Sequence, residues 1–177
     1  MYYFVTASKD TTIYLQQPTQ NTGFDEILEV SKTYYGNLKD NARTLIKFDT
    51  APISQSIVSG EITMSSAELI LKECESNEVP TDYTIYAYAV SQSWDMGIGT
   101  RFDNISTDGC SWEKRTTESW LGTGLAPGTT GSLNGKGGTW YTGSAASQSF
   151  SYESTDIEMD VLTPLTSWVS GSIPNEG

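Results

Sequence analysis

The chain predicts an all-β fold, an antiparallel jelly-roll-like β-sandwich, and three observations carry that prediction. Short runs of alternating apolar and polar side chains recur along it, the period-two pattern of half-buried strands. The composition suits pleated sheet, with ten tyrosines, five tryptophans and sixteen glycines among 177 residues, because aromatic and β-branched side chains pack well on a pleated surface and glycine serves the turns. Helical periodicity is weak everywhere except residues 163–170.

Taken in order, the expected strands are residues 2–6, 11–15, 26–31, 42–48, 67–74, 83–90, 149–152 and 157–162. In Thr44-Leu-Ile-Lys-Phe48 the alternation puts Ile46 and Phe48 on one face, and Leu45 shares the other with Arg43, Lys47 and Asp49. Residues 83–90 set Ile85, Ala87 and Ala89 against Tyr86, Tyr88 and Val90, the pattern of a central strand. Asn21-Thr-Gly23, Tyr35-Gly36-Asn37 and residues 52–60 supply turn chemistry between these runs. One domain over residues 1–177 is expected, since the length supports a single sizeable core.

Residues 116–148 are dominated by Gly, Ser and Thr and hold few large apolar side chains. They read as a long surface loop ordered by Trp120, Trp140 and Tyr141, and such a loop is the natural place for a contact surface. Towards the end of the chain Thr163 suits a helix N-cap, Pro164 the first helical position and Gly171 the left-handed residue that ends a helix, with Trp168 pointing inward. The Pro174-Asn-Glu-Gly177 turn that follows normally returns the chain to a sheet. A closing strand is therefore expected beyond Gly177, either in further sequence or donated by a neighbouring chain.

The formal charge of −12 and the pI of about 4.2 oppose binding to nucleic acid or anionic lipid, since both require Lys and Arg to replace counterions. No apolar run approaches the roughly 20 residues that span a bilayer, so membrane insertion is not expected. Met1-Tyr-Tyr-Phe-Val-Thr6 lacks the basic region and apolar core of a secretory leader, and on that reading the protein stays in the cytosol or is carried in a particle. Cys74 and Cys110 are either one disulfide or two buried thiols, and the missing leader favours the thiols.

Histidine is absent, which removes the usual general base near neutral pH and the commonest metal ligand. Neither phosphate-binding glycine motif is present, and no catalytic residue or cofactor is assigned. Carboxylates are plentiful, among them Asp25, Glu26, Glu73, Glu75, Glu113 and Glu118, but in so acidic a chain they read as solvated surface before a glycosidase pair. A structural calcium ion is the one inorganic ligand with a rationale, with Asp10, Asp25, Glu26 and Asp49 as conceivable ligands. Trp112 and Trp168 read as core. Trp94, Trp120, Trp140 and Tyr141 lie at strand ends or in the long loop, where they either order the loop or meet a partner or glycan.

Several segments resemble, in serial order, the DNRLRE family of disaggregatase-related β-sandwich domains. They are Lys9-Asp-Thr-Thr-Ile-Tyr14, Gln20-Asn-Thr-Gly23, Ile27-Leu-Glu-Val30, Arg43-Thr-Leu-Ile-Lys-Phe-Asp49, Ser66-Ala-Glu-Leu-Ile-Leu71, Val90 with Trp94, Ser111-Trp112, and Val161 with Trp168, Ser170-Gly171 and Asn175-Glu-Gly177. The resemblance implies a jelly-roll-like sandwich, and some relatives serve as carbohydrate-binding modules. The glycine-rich segment departs from that pattern by its length. A sandwich of this style without a leader also looks like structural proteins of tailed bacteriophages. The expectation is therefore a non-enzymatic virion component, in a tail, collar, fibre or decoration, that assembles with other virion proteins and with copies of itself. The alternative is a carbohydrate-binding module of a secreted or cell-surface protein.

Overall fold

A computed structural model describes residues 2–74, 82–122, 125–131, 136–143, 145–150 and 156–177. The described residues form strands β1 (Ala7–Tyr14), β2 (Ser31–Tyr35) and β3 (Leu38–Phe48), helix α1 (Ala51–Val58), strands β4 (Glu68–Leu71), β5 (Tyr83–Ala87), β6 (Thr129–Gly131), β7 (Thr139–Tyr141), β8 (Ala146–Phe150) and β9 (Ile157–Asp160), and helix α2 (Leu162–Val169). Each pair of hydrogen-bonded strands is antiparallel. This is the all-β, sandwich-class fold expected, with its short C-terminal helix. Glu75, Tyr152 at the end of the expected strand 149–152, and parts of the 116–148 segment lie outside the described residues.

The chain divides into two compact units. The first comprises Met1–Asp49, Val90–Tyr141 and Asn175–Gly177. Its sheet has the order β1-β3-β2, and a β6-β7 hairpin accompanies it. The core gathers Ile13, Leu45, Val90, Trp94, Cys110, Trp112 and Trp120. Each indole buries about 150–250 Å², worth up to roughly 4–6 kcal/mol at ~25 cal/mol per Å², so these tryptophans dominate the burial.

Cations complete that core. The Lys9 ammonium lies 4.2 Å from the Trp94 ring, and the Arg43 guanidinium lies 4.9 Å from Trp112 and 5.1 Å from Trp140. Lys9 Nζ also donates to the Trp94 carbonyl and Arg43 to that of Gly137. The electron-rich indole faces and these carbonyls replace the water that burial removes. Hence the face of β3 bearing Arg43 and Leu45 turns inward, although its alternation carries charge.

The end of the chain docks on the same unit. Val90 N donates to Gly177 O (2.6 Å), Trp94 Nε1 to Glu176 O (2.7 Å) and Asn175 Nδ2 to Phe48 O (2.8 Å), while Lys47 pairs with Glu176 at 3.0 Å. Only glycine fits at position 177, where φ is 110° and a Cβ would stand 2.3 Å from the Ile46 carbonyl oxygen.

The second unit comprises Thr50–Ala89 and Thr142–Pro174, with the strand pairs β4-β9 and β5-β8 and both helices. Its strands bury Ala146, Phe150 and Met159. Tyr83 stacks on Phe150 with ring centroids 5.0 Å apart.

Several elements differ from expectation for identifiable reasons. Of residues 52–60, expected as a turn, 52–58 belong to α1 and only 59–60 turn: Pro52 enters the first helical turn and Gly60, at φ 78°, follows the end, the asymmetry of a helix signal. In only eight residues, Ile53 and Ile57 at i and i+4 make a single half-buried pair, too short a repeat to stand out as helical. Residues 2–6 make no strand, and Tyr2 and Phe4 are exposed. Residues 26–30 are irregular because Glu29 bonds to side-chain hydroxyls, its N–H to Thr12 Oγ1 and its carbonyl to Thr44 Oγ1, in place of a backbone ladder. The 116–148 loop contains β6, β7 and the start of β8. The strand expected to be central, β5, pairs only with β8 among the described residues. Helix α2 starts at Leu162, and Asp160 Oδ1, not Thr163, accepts from the Leu162 N–H (2.8 Å). Gly171 ends it at φ 72°, as expected. Cys110 is a buried free thiol, but Cys74 is exposed and free, since it lies just past the end of β4 where nothing covers it among the described residues.

Candidate functional site

Two loops of the first unit, residues 20–29 and 96–106, are bound to each other through Asn21. Its side chain is fully buried. Nδ2 donates to the carbonyls of Met96 (2.7 Å) and Cys110 (2.8 Å), and Oδ1 accepts from the N–H groups of Gly99 (2.8 Å) and Gly23 (3.3 Å). A primary amide offers two donors and two acceptor sites, so this carboxamide is saturated. The backbones approach so closely that a Cβ at Gly23 would lie 2.1 Å from Met96 O, one at Gly97 2.0 Å from Asp108 O, and one at Gly99 2.4 Å from Asn21 O. Gly97 also requires φ 75°.

The neighbours of Asn21 fasten the first loop to the sheet and to the second loop. Thr22 Oγ1 donates to Thr12 O (2.5 Å) and accepts from Thr12 N (3.2 Å), so one hydroxyl occupies the free edge of β1 as an adjoining strand would. Gln20 Nε2 donates to Thr100 O (2.5 Å) and Asn21 N to Ser106 O (2.9 Å). Further out, Phe24 N donates to Gly99 O (2.9 Å) and Arg101 N to Asp25 Oδ1 (3.0 Å).

This scaffold presents apolar and polar groups together to solvent. Phe24 is 59% exposed, Ile98 62% and Phe102 89%. Beside Phe102 sits Arg101, paired with Glu29 at 2.5 Å, its guanidinium 5.3 Å from the Phe102 ring and 4.2 Å from that of Tyr14. Thr100 Oγ1 donates to Asp103 Oδ2 at 2.7 Å. Tyr14 donates to Glu29 Oε2 (3.3 Å), and burial, reinforced by the Glu29 charge, pushes its phenol up to about 12, which keeps it a donor near neutral pH. Exposed rings beside fixed donors and acceptors match the two surfaces of a sugar, an apolar C–H face and a girdle of hydroxyls.

The aromatics weighed between ordering the loop and meeting a partner or glycan are placed as follows. Trp94 and Trp120 are buried, at 1% and 2% exposure, with Trp120 Nε1 donating to Ser111 O (3.0 Å). Neither ring offers a face to a ligand, because the core needs the apolar area each removes from water. Trp140 and Tyr141 are half-buried on β7, and Trp140 is engaged with Arg43. The carboxylates suggested for calcium are not gathered, and among the described residues no three His, Cys, Asp or Glu side chains form a metal-sized cluster. Asp25 instead holds the Arg101 N–H, and burial pushes the Asp10 carboxyl up. No helix among the described residues is long and apolar enough to cross a membrane. Phe24, Arg101 and Phe102 escape a reading by composition, since isolated aromatics in polar loops carry no periodicity. The signal that marks them is the glycine spacing around them, Asn21-Thr-Gly23 against Gly97-Ile-Gly99.

A family model described as carbohydrate-binding module family 96 matches residues 1–100, more than half of the chain. No curated protein and no solved structure matches it. The family match overturns the resemblance to DNRLRE domains, and with it the virion structural role and virion partners expected from that resemblance. The structure supplies the reason. The segments that carried it, Gln20-Asn-Thr-Gly23, Arg43 to Asp49 and Ser111-Trp112, are occupied in loop fastening and core packing, tasks shared by sandwiches of differing function. The chain belongs to carbohydrate-binding module family 96.

Proposed function

We propose that this protein is a non-catalytic glycan-binding module whose contact surface is the pair of loops fastened by Asn21. The observation that carries the reading is the exposure of Phe24 and Phe102 beside Arg101, Glu29, Asp25 and Asp103 on a rigid backbone, in a member of a carbohydrate-binding family. The rings pack on the C–H face of a pyranose, and the carboxylates, guanidinium and Thr100 hydroxyl meet its hydroxyls. Preorganisation matters here, because sugar hydroxyls leave water for protein partners with little net gain unless those partners are already in place. A polysaccharide ligand puts the protein's place of action at a cell surface or outside the cell.

Binding to an array of oligosaccharides and polysaccharides tests the proposal. The expected result is saturable binding by the wild-type chain, reduced at least tenfold by Phe102→Ala with no change in thermal melting, because this side chain contributes little to the core. Undiminished binding by both Phe24→Ala and Phe102→Ala overturns the assignment of this surface.

A further inference from the structure

The geometry points to a docking edge for an acidic, extended peptide, which joins the sheet of the first unit beside β2. Cross-strand partners lie on the same face of a sheet, so the register sorts the charges. Lys9 stands opposite Lys47, Ile13 opposite Arg43, Lys32 opposite Asn41 and Tyr34 opposite Lys39. All five cations of β1, β2 and β3 therefore share one face, and no carboxylate of these strands joins them. Asp10 and Asp40 occupy the opposite face.

Three of the five cations are engaged: Lys9 with Trp94, Arg43 with Trp112 and Trp140, and Lys47 with Glu176. Lys32 and Lys39 are exposed and form no ion pair among the described residues. The Lys32 ammonium lies 6.0 Å from the centre of the Tyr34 ring, which is 61% exposed, so two cations and a ring share this end of the face.

Backbone groups are open beside them. Strand β2 is last in the order β1-β3-β2, and among the described residues no strand pairs with its outer edge. The other edge of the sheet is blunted, because the Thr22 hydroxyl bonds to Thr12 of β1. The N–H and C=O groups along the outer edge of β2 thus form a template for an added strand.

The lysines decide what that strand carries. A second β2 would bring two more exposed lysines beside Lys32 and Lys39, and like charges side by side oppose that pairing. A strand with carboxylates at alternate positions on the cationic face pairs with the ammoniums while its backbone completes the edge. Lys32 adjoins such a strand, and Lys39 lies one strand, about 5 Å, further in, within reach of a glutamate side chain. Charges beyond the Debye length of about 8 Å at physiological ionic strength are largely screened, so a short peptide seated on β2 responds to these two lysines. A long polyanion instead meets the remaining surface of a chain of net charge −12.

Fluorescence anisotropy of a labelled Thr-Glu-Val-Glu-Thr-Glu-Val peptide titrated with the full chain tests the proposal. Saturable binding is expected, weakened at least tenfold when lysine replaces each glutamate of the peptide. Of two peptides N-methylated at alternate positions, the one whose blocked groups face β2 loses at least tenfold as well, since strand addition needs those N–H groups. The double variant Lys32→Gln/Lys39→Gln is expected to lose at least tenfold in affinity with an unchanged melting temperature, because both side chains are exposed. Absence of saturable binding, equal binding of the lysine peptide, undiminished binding by the double variant, or indifference to both N-methylated peptides overturns the proposal. It is equally overturned if the wild type sediments as a dimer that the double variant does not form, since a second copy then occupies the edge.

Discussion

Replacing Asn21 by alanine removes the group that fastens the two binding loops, and its cost follows from the contacts. The side chain makes three bonds of 2.7–2.8 Å, to Met96 O, Cys110 O and Gly99 N, and a longer one to Gly23 N. A net intramolecular hydrogen bond contributes about 1 kcal/mol, and a buried group left without a partner costs about 1–3 kcal/mol. Three strong bonds broken together therefore predict a loss near 3 kcal/mol, with a water in the vacated space recovering part of it. With a urea slope of about 1–3 kcal/mol per M, the midpoint falls by roughly 1–3 M. Tryptophan fluorescence reports the transition, since Trp94, Trp112 and Trp120 all lie in the core of the same unit. Asn21→Asp is expected to be no better at neutral pH. It keeps the acceptors for the glycine N–H groups but sets a carboxylate oxygen against two carbonyl oxygens. Glycan binding weakens in both variants, because the loops lose their fixed spacing. A stability loss below about 1 kcal/mol for Asn21→Ala would refute the claim that this amide organises the site.

Glycine substitutions separate space from dihedral strain. Gly97→Ala meets both a positive φ and a carbonyl oxygen at 2.0 Å and is expected to cost more than 3 kcal/mol in urea unfolding, whereas Gly36→Ala, at φ 63° in open space, costs about 1 kcal/mol. Cys110 gives an alkaline signature. Burial pushes its thiol from 9.0 up to about 12, so the folded state holds this proton longer than the unfolded chain. Stability therefore falls as pH rises from about 9 towards 12, by up to about 4 kcal/mol. Lys9, held below its ordinary value by burial, acts in the opposite sense up to about pH 10.5. Cys110→Ala is expected to flatten the alkaline limb of a pH–melting-temperature profile relative to wild type. Arg43→Lys is not conservative: a point ammonium cannot lie flat between Trp112 and Trp140, and a loss of about 1–2 kcal/mol is expected by denaturant titration.

How far the chain is readable depends on whether a signal is local. Alternation is local, since neighbouring side chains on an extended backbone must point to opposite faces, and so the antiparallel β class and the positions of β3, β5 and β9 are legible from residues alone. The stop chemistry of α2 is legible too, because Gly171 acts on the backbone it occupies, whereas the expected cap Thr163 and first position Pro164 lie inside a helix whose N-cap is Val161. Helix α1 carries the same Pro and Gly markers, but in eight residues its one apolar pair at i and i+4, Ile53 and Ile57, is too short a repeat to mark a helix. Trp94 and Trp120 are ambiguous in the chain for another reason: an indole near a turn signal fits either an ordering role or a surface contact until it is known what covers it.

What the sequence by itself determined is the class of structure and the exclusion of histidine chemistry, since both follow from residue type and short-range period. Only the tertiary structure decided that residues 20–29 and 96–106 are one scaffold, that Lys9 and Arg43 belong with tryptophans, and that Phe24 and Phe102 of that scaffold face water. Those facts depend on contacts between segments some 75–95 residues apart. Such contacts are selected by shape, by saturation of buried polar groups and by the absence of Cβ atoms at a few glycines, and none of these leaves a periodic trace in the chain.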